Sequence, residues 1–235
     1  MAKHYVSNED TSLRIFRNGL LEALSHVSWY VPHLIYLPVI AYLLYLNASA
    51  GLSLGEQVSA FVAGVLIWTF IEYTIHRFFF HAPEHIEVEV REALAQLKPG
   101  EPALESIHGW HHVFYFFAHG VHHDYPSDSK RLVMPPTVSL PLVVLFWLGF
   151  RLALGPVWVF GVFAGFLVGY LAYDTIHYAV HHFTIRSSAM LYLKKLHFRH
   201  HYGSPDHDFG VSSPLWDFVF RTASPATQGD SERVH

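Results

Sequence analysis

The 235-residue chain is 51% hydrophobic and 16% aromatic, and only 14% of its residues are charged, whereas ordinary globular proteins have about 25%. This composition indicates a membrane protein. The formal charge of −4 argues against a nucleic-acid partner, and the absence of cysteine excludes disulfides, thiolate zinc sites and a cysteine nucleophile.

Four apolar segments follow a polar lead-in that we expect to be cytosolic. This lead-in spans residues 1–26, and its first twenty residues lack the apolar core of a signal peptide. The segments 27–48, 58–75, 137–154 and 156–173 are each about long enough to cross a bilayer as a helix. The first two form one predicted hairpin, and the last two, separated by Gly155 and Pro156, form a second and tighter one. An acidic insertion at 82–110 and a flexible tail at 223–235 complete the predicted single domain, 1–235.

The distribution of basic residues predicts the orientation. If the hairpin tips at 49–57 and 151–156 lie outside, they hold only Arg151, so the other 14 of the 15 Lys and Arg residues lie on the opposite side. The positive-inside rule then places both termini in the cytoplasm. We therefore predict an all-α, multi-pass integral membrane protein with a four-helix stem and a cytosolic helical cap. Its membrane would be the endoplasmic reticulum in a eukaryote and the inner membrane in a bacterium.

Histidines recur with regular spacing after each hairpin. The motif HxxHH occurs at 119–123 and again at 197–201, and TIH closes the second span at 74–76 and the fourth at 175–177. Positions i, i+3 and i+4 share one face of a helix. His76 and His81 are five residues apart, so one of them must lie beyond the helix end or at a local distortion. The repeat predicts two half-sites in which ten imidazoles converge: His76, His81, His119, His122, His123, His177, His181, His197, His200 and His201.

A metal centre explains this convergence better than structural histidines do. A lone histidine is usually a hydrogen-bonded structural residue, but ten clustered imidazoles neither protonate together nor form an apolar core, and a metal binds them in the neutral form. Ten nitrogens suit two ions. Iron, zinc and copper all accept nitrogen ligands, and zinc is able to replace iron in an isolated sample. Glu72 and Asp174 are predicted to accept the remote ring N–H of His76 and His177; the alternative is that both are helix-end charges at the membrane interface.

Four stretches resemble a known family: HRFFFH, HGVHHDYPSDSKRLVMPP, YDTIHYAVHH and LKKLHFRHHYGSPDHDFGVSSPLWDFVF. They are similar to the fatty acid hydroxylase superfamily, and in particular to its fatty acid 2-hydroxylase branch, which acts on acyl chains of sphingolipids. The resemblance implies a four-helix membrane stem, a cytosolic cap that holds the ten histidines, two iron ions, and O2 as co-substrate. It further implies hydroxylation at the carbon next to the carboxyl or amide of a free, ceramide-bound or other lipid-bound acyl group.

Partners and competing functions follow from the same comparison. Eukaryotic members often carry a haem domain of the cytochrome b class, whereas this sequence has no HPGG-type haem loop. A separate electron carrier and reductase are therefore expected, with Lys194, Lys195 and Arg199 as the docking group. A desaturase, sterol oxidase or carotenoid hydroxylase would use similar histidine motifs. A metal transporter or metal-buffering protein is a different class, but transporter sites lie near the bilayer midplane, and these histidines follow the spans.

Overall fold

The computed structural model describes residues 5–225, and these residues are helical without any strand. The tail predicted at 223–235 falls mostly on residues 226–235, which lie outside the described residues. Within residues 5–225 the α-helices, in chain order, are α1 Gly19–Leu24, α2 Val31–Ala48, α3 Leu54–Ile75, α4 Glu84–Ala95, α5 Trp110–Tyr115, α6 Val121–Asp124, α7 Pro136–His182, α8 Ser188–Tyr202 and α9 Leu215–Phe220. Two π-helical segments, His76–Phe80 and Phe116–Gly120, continue α3 and α5.

Three of the described helices, α2, α3 with its π extension, and α7, are long and apolar enough to cross a membrane. The 47-residue α7 is interrupted at Gly155, whose φ of 73° and ψ of −173° are not helical. Only glycine adopts such a conformation without strain, so α7 consists of two arms, 136–154 and 156–182. Contacts of Trp147 with Phe163 and of Phe146 with Phe166 show that the arms fold back on each other.

The structure lengthens two of the predicted spans. Helix and π segment together run to Phe80 where the sequence predicted an end at residue 75, and the second arm of α7 runs to His182 where it predicted residue 173. The difference arises because apolar composition marks only the hydrocarbon-length part of a helix, whereas the backbone hydrogen bonds continue into the polar region. The histidines at 76, 177 and 181 therefore lie on the continuations of the long helices.

Glycines allow α3 and the second arm of α7 to pack in close contact. A Cβ atom on Gly64 would overlap the carbonyl oxygen of Val162, and one on Gly165 would overlap that of Phe61. Small residues at such crossings let the backbones of membrane helices approach each other. The tight crossing fixes where α3 and α7 end relative to each other, and those two ends carry histidines of the candidate site.

Residues outside the long helices pack around a second hydrophobic core, which we call the cap. Helix α4, from the predicted acidic insertion, buries Ile86, Val90 and Leu94 there. The lead-in is also part of the cap, since Val6 N donates to Asp124 O at 2.9 Å and Ala103 N donates to Arg14 O at 2.8 Å. The first of these contacts places the polar lead-in against Asp124, the residue that directly follows the first HxxHH motif.

Candidate metal centre

The ten predicted histidines come together as two groups of five. Within each group the candidate ligand nitrogens all lie within 4.8 Å of one another. Eight of the ten side chains are buried, and the other two are partly buried. Group A comprises His76, His81, His119, His123 and His200, and group B comprises His122, His177, His181, His197 and His201.

The two groups cross the internal repeat. Group A takes four histidines from the first half of the chain and His200 from the second, and group B takes four from the second half and His122 from the first. The exchange follows from helix geometry, because positions i and i+4 of each HxxHH motif point to one group and position i+3 points to the other. The predicted half-sites are thus interlocked, and each motif joins both groups.

A π-helical segment positions His81. Backbone hydrogen bonds of a π-helix run from i to i+5, and the segment His76–Phe80 adds this wider turn directly after α3. His81 follows with extended backbone angles, φ −89° and ψ 141°. Both the helix end and the local distortion expected from the five-residue spacing are therefore present, and they bring His81 to His76 with ring centroids 5.2 Å apart.

The Nε2 atoms face each other at distances that suit a shared ion. The His81–His200 pair is separated by 3.0 Å, and the His122–His177 pair by 2.9 Å. Two nitrogens that bind one ion at a right angle, each about 2.1 Å away, are about 3.0 Å apart. The spacing within the pairs therefore matches adjacent ligands of one coordination sphere.

The ring tautomers of the His81–His200 pair require a cation between the two Nε2 atoms. Nδ1 of His81 donates to the Glu87 carboxylate at 3.2 Å, and Nδ1 of His200 donates to the His207 carbonyl at 2.7 Å. Since neither acceptor has a hydrogen to give, both neutral rings carry their proton on Nδ1. Their Nε2 lone pairs then meet at 3.0 Å, and a metal ion or an extra proton is needed to relieve the repulsion.

Burial favours the metal over the extra proton. Burial, together with neighbouring histidines, lowers the pKa of His119, His122, His123, His197 and His201 well below the ordinary histidine value. The pKa of His200 falls to about 3, again chiefly through burial. At neutral pH these rings are uncharged and present lone pairs, which is the form that binds metal.

A loop at residues 207–212 orients part of group A. The carbonyl of Phe209 accepts the Nδ1 hydrogen of His76 at 2.5 Å, and that of His207 serves His200. Two acids hold this loop in place. Asp217 accepts from the backbone N–H of Phe209 and of Gly210, at 2.9 and 2.7 Å.

Glu72 is the second acid, and its contacts correct the sequence prediction. It does not accept the ring N–H of His76; it accepts the backbone N–H of Val211 at 2.8 Å and of Ser212 at 2.7 Å, and also the Ser212 hydroxyl. A carboxylate four residues before a histidine shares its helix face, but a loop 139 residues away takes its oxygens instead. Glu72 therefore acts on His76 through the 207–212 loop.

Asp174 also lacks its predicted contact. It is buried beside Tyr170 and the backbone of Met134, and the Nδ1 atom of His177 has no hydrogen-bond partner within the described residues. The two residues are three positions apart on α7, but the carboxylate contacts Tyr170 and the backbone of Met134. The predicted hydrogen bond from His177 to Asp174 is therefore absent.

Two acids in the cap were missed by the sequence reasoning. Glu87 of α4 accepts the Nδ1 hydrogen of His81, and Asp124, directly after His123, accepts from Arg91 Nε at 2.8 Å. Burial raises the pKa of Asp124 to about 7 against the opposing effect of Arg91. An acid next to HxxHH was a visible signal for Asp124, whereas Glu87 lies in a segment that looked like a variable insertion.

The residues present fit a pair of metal ions. Nε2 of His76, His119 and His123 is buried without a hydrogen-bond partner in the described structure, although buried polar atoms are nearly always paired. The donor set of each group is five neutral imidazoles, which suits iron, zinc or copper. A small apolar cavity of about 50 Å³ lies between α3 and both arms of α7, and its lining includes Ile75, the residue before His76.

Comparison with known proteins agrees with this geometry. The model of the fatty acid hydroxylase family matches residues 102–222. The chain belongs to the fatty acid hydroxylase family. It is 35% identical to the dihydroceramide fatty acyl 2-hydroxylase FAH2 of Arabidopsis thaliana over 89% of this chain and 79% of that protein. It is 34% identical to the fatty acid 2-hydroxylase of Mus musculus over 91% of this chain, but it spans only 57% of that protein's length.

A solved structure gives the same result for the fold. The structure described as full-length scs7p, with only the hydroxylase domain visible, superimposes with a TM-score of 0.72 at 35% identity, over 89% of this chain and 71% of that one. Membership of a family of metal-dependent hydroxylases explains the two histidine groups, and the long apolar helices identify a membrane protein.

Proposed function

We propose that this chain is an O2-dependent di-iron hydroxylase that places a hydroxyl group on carbon 2 of a fatty acyl chain, free or bound in ceramide or another lipid. The observation that carries the proposal is the pair of interlocked five-histidine groups in a chain 35% identical to a dihydroceramide fatty acyl 2-hydroxylase. Group A and group B would each hold one ion. Zinc is expected to replace iron in an isolated sample, since it stands above ferrous iron in the affinity series.

In the reaction, the protein itself would hold the metal ions, orient their histidine ligands and shield the site from water. When bound, two iron ions would supply the one-electron and O2 chemistry that breaking an unactivated C–H bond needs. The neutral imidazoles give the nitrogen ligands, the 207–212 loop and Glu87 fix the tautomers in group A, and burial of the site excludes bulk water. Exclusion of water keeps reactive species from side reactions.

The acyl chain is proposed to reach the site through the apolar cavity between α3 and α7. Its lining is almost wholly apolar and includes Ile75, Met134, Val143 and Phe146. Ile75, which immediately precedes His76, lines this cavity, so the cavity is proposed to lead toward the end of α3 that carries His76. An acyl chain taken from the bilayer would stay in apolar surroundings along this path, which avoids the unfavourable exposure of its methylenes to water.

The proposed membrane arrangement has a four-helix stem formed by α2, α3 and the two arms of α7. The cap, both termini and the metal centre would lie on the cytosolic side, as the excess of Lys and Arg on that side predicts. The whole chain would be one hydroxylase domain, in the endoplasmic reticulum membrane of a eukaryote or the inner membrane of a bacterium.

A separate electron carrier with its reductase is proposed to dock on α8. Lys194 and Lys195 are partly exposed there, and an acidic carrier would be steered to them. Arg199 is better assigned to the fold, since its guanidinium lies 3.3 Å from the buried carboxylate of Asp208. That ion pair ties α8 to the start of the 207–212 loop, so we propose Lys194 and Lys195 as the main docking residues.

Lipid analysis tests the function directly. Cells that express the chain should contain acyl groups with one added oxygen at carbon 2, detected by mass spectrometry after hydrolysis of the lipids. Cells that express His119→Ala or His122→Ala should not, because each variant removes a ligand of one group. A product that has lost two hydrogens without gaining oxygen would instead identify a desaturase.

A further inference from the structure

We infer that the two histidine groups bind their ions with unequal affinity: group A binds more tightly than group B, and Glu87 is a positioning residue that contributes to the difference. The inference rests on the proposed metal centre. It concerns the hydrogen bonds made by the side of each ring that faces away from the ion, where the two groups differ.

In group A, three of the five rings have a protein acceptor for Nδ1–H. The Phe209 carbonyl accepts from Nδ1 of His76 at 2.5 Å, and the His207 carbonyl accepts from Nδ1 of His200 at 2.7 Å. The Glu87 carboxylate accepts from Nδ1 of His81 at 3.2 Å. Each bond fixes the tautomer that leaves a lone pair on Nε2, and each restrains the rotation of its ring. Group A is therefore preorganised before an ion arrives.

Group B lacks this support among the described residues. The Nδ1 atoms of His177, His197 and His201 are buried without a hydrogen-bond partner. As in group A, Nε2 atoms of neighbouring rings face each other, and Nε2 of His197 lies 2.9 Å from that of His181 and 3.0 Å from that of His201. No described residue fixes which nitrogen of these rings carries the proton, so ion binding must also select the tautomer and orientation.

The expected difference in metal affinity can be estimated from the effect of such hydrogen-bond acceptors in other metal sites. Loss of one partner that orients a metal-binding histidine typically costs about 10- to 100-fold in metal affinity or activity. Group A has three such partners in the described structure and group B has none. A difference of at least about tenfold between the two ions is therefore expected, even if most of the three contributions overlap.

Glu87 is expected to raise the metal affinity of group A in a way that the Phe209 and His207 carbonyls do not. A carboxylate acceptor raises the basicity of the imidazole that donates to it. Glu87 sits in the first turn of α4 and also accepts Ala82 N–H at 3.2 Å, so the same oxygen holds the backbone next to His81. Neighbouring Ile86 and Val90 anchor α4 in the cap core. The acid is thus fixed by packing and not by the metal.

The experiment measures metal retention by the purified full-length holoprotein in detergent. The protein is equilibrated with graded concentrations of a metal chelator. The metal that remains bound per chain is then determined by inductively coupled plasma mass spectrometry. We expect two steps, with one ion lost at a chelator concentration at least tenfold lower than the other. His122→Ala, which disrupts group B, should keep the high-affinity step, and His119→Ala, which disrupts group A, should lose it.

Variants of α4 test the role of Glu87. Glu87→Ala should weaken the high-affinity step by about 10- to 100-fold and leave the low-affinity step unchanged, and Glu87→Gln, which keeps an acceptor oxygen, should weaken it less. Glu89→Ala is the matched control, because Glu89 lies on the same helix but pairs with His112, outside the ten ligands, at 2.8 Å. Circular dichroism checks that each variant is folded.

Each outcome decides the inference. Two ions lost together in the wild type, or a high-affinity step that His122→Ala removes, would overturn it. An unchanged high-affinity step in folded Glu87→Ala and Glu87→Gln would overturn the role of Glu87 alone. A protein that holds no stoichiometric metal would instead contradict the proposed metal centre, and is distinguishable from unequal binding because no step is then seen.

Discussion

Glu72 shows how a buried acid stabilises a ligand without touching it. Its oxygens bind the 207–212 loop, and the loop presents the Phe209 carbonyl to His76. Buried acids inside a membrane helix are costly and are usually retained for a role. Here that role is to fix the backbone of a loop that would otherwise expose several unpaired N–H groups.

Replacement of Glu72 should therefore release the loop and weaken group A. We expect Glu72→Ala to lower metal affinity or activity by about 10- to 100-fold, and Glu72→Gln, which keeps one carbonyl oxygen for Val211 and Ser212, to lower it less. Metal per chain and 2-hydroxy product are both measured. Full metal content and activity in a folded Glu72→Ala protein would show that the acid is an interface charge only.

Spacing along the sequence was enough to single out the ten histidines, but it did not reveal which groups accept hydrogen bonds from their rings. The ligands fall into i, i+3 and i+4 patterns that any helix brings to one face. The acceptors of His76 and His200 are backbone carbonyls of Phe209 and His207, and backbone atoms leave no trace in a residue pattern. Glu87 reaches His81 only because the chain turns at a π segment, which no apolar periodicity reveals.

At the scale of elements, α3 and the second arm of α7 cross in close contact at Gly64 and Gly165. This crossing sets the positions of the two histidine groups relative to each other. Both helices carry ligands at their ends, so a change in their separation displaces group A relative to group B. The sequence predicted both helices from their apolar length. It did not predict that Gly64 and Gly165 place the backbones in contact, because the pairing of helices depends on the whole stem.

A large residue at this crossing should destabilise the stem. We expect Gly165→Leu to lower the temperature of thermal unfolding in detergent, since its Cβ overlaps the Phe61 carbonyl and overpacking typically costs about 1–3 kcal/mol. Gly149→Leu is the control, because Gly149 lies on the first arm of α7 with nothing within 4 Å of an added Cβ. Equal unfolding temperatures for the two variants would contradict close packing at this crossing.

The cavity between α3 and α7 makes a second prediction for these elements. Val143→Trp should fill much of the roughly 50 Å³ space that Val143 lines and slow hydroxylation of long acyl chains, while metal content stays at the wild-type level. Val144→Trp is the matched control, because Val144 is 56% exposed on the outer face of the same helix. If both tryptophan variants hydroxylate long chains at the wild-type rate, the acyl chain takes another path.

At the scale of the whole molecule, the sequence predicted the apolar helices, the turn within α7 and the convergence of the histidines, but not how the cap is closed. The predicted turn at Gly155 and Pro156 is present because glycine and proline mark such breaks in any sequence. The lead-in was predicted only as a cytosolic segment, yet Glu22 of the lead-in pairs with Arg131, which joins it to the loop after the first HxxHH motif. Ion pairs between residues more than a hundred positions apart have no local signature.

The last prediction concerns delivery of electrons to the assembled molecule. Reversal of charge at Lys194 and Lys195 to Glu should slow turnover driven by an acidic carrier and its reductase in purified membranes. The reason is that surface charges act mainly on the rate of encounter. Added salt should slow the wild type, because exposed charges are screened over about 10 Å at 0.1 M ionic strength, and should slow the reversed protein less.

Metal content separates docking from damage to the site. Lys194 and Lys195 are partly exposed on α8 and are not among the ten candidate ligands, so the charge-reversed protein should keep its wild-type metal per chain. Lys98→Glu is the control for a general effect of surface charge, since Lys98 is an exposed lysine beyond the end of α4. If the reversed protein and Lys98→Glu show the same carrier-driven rate and the same salt dependence, the carrier docks elsewhere and the two lysines of α8 act only as positive charges that keep the cap in the cytosol.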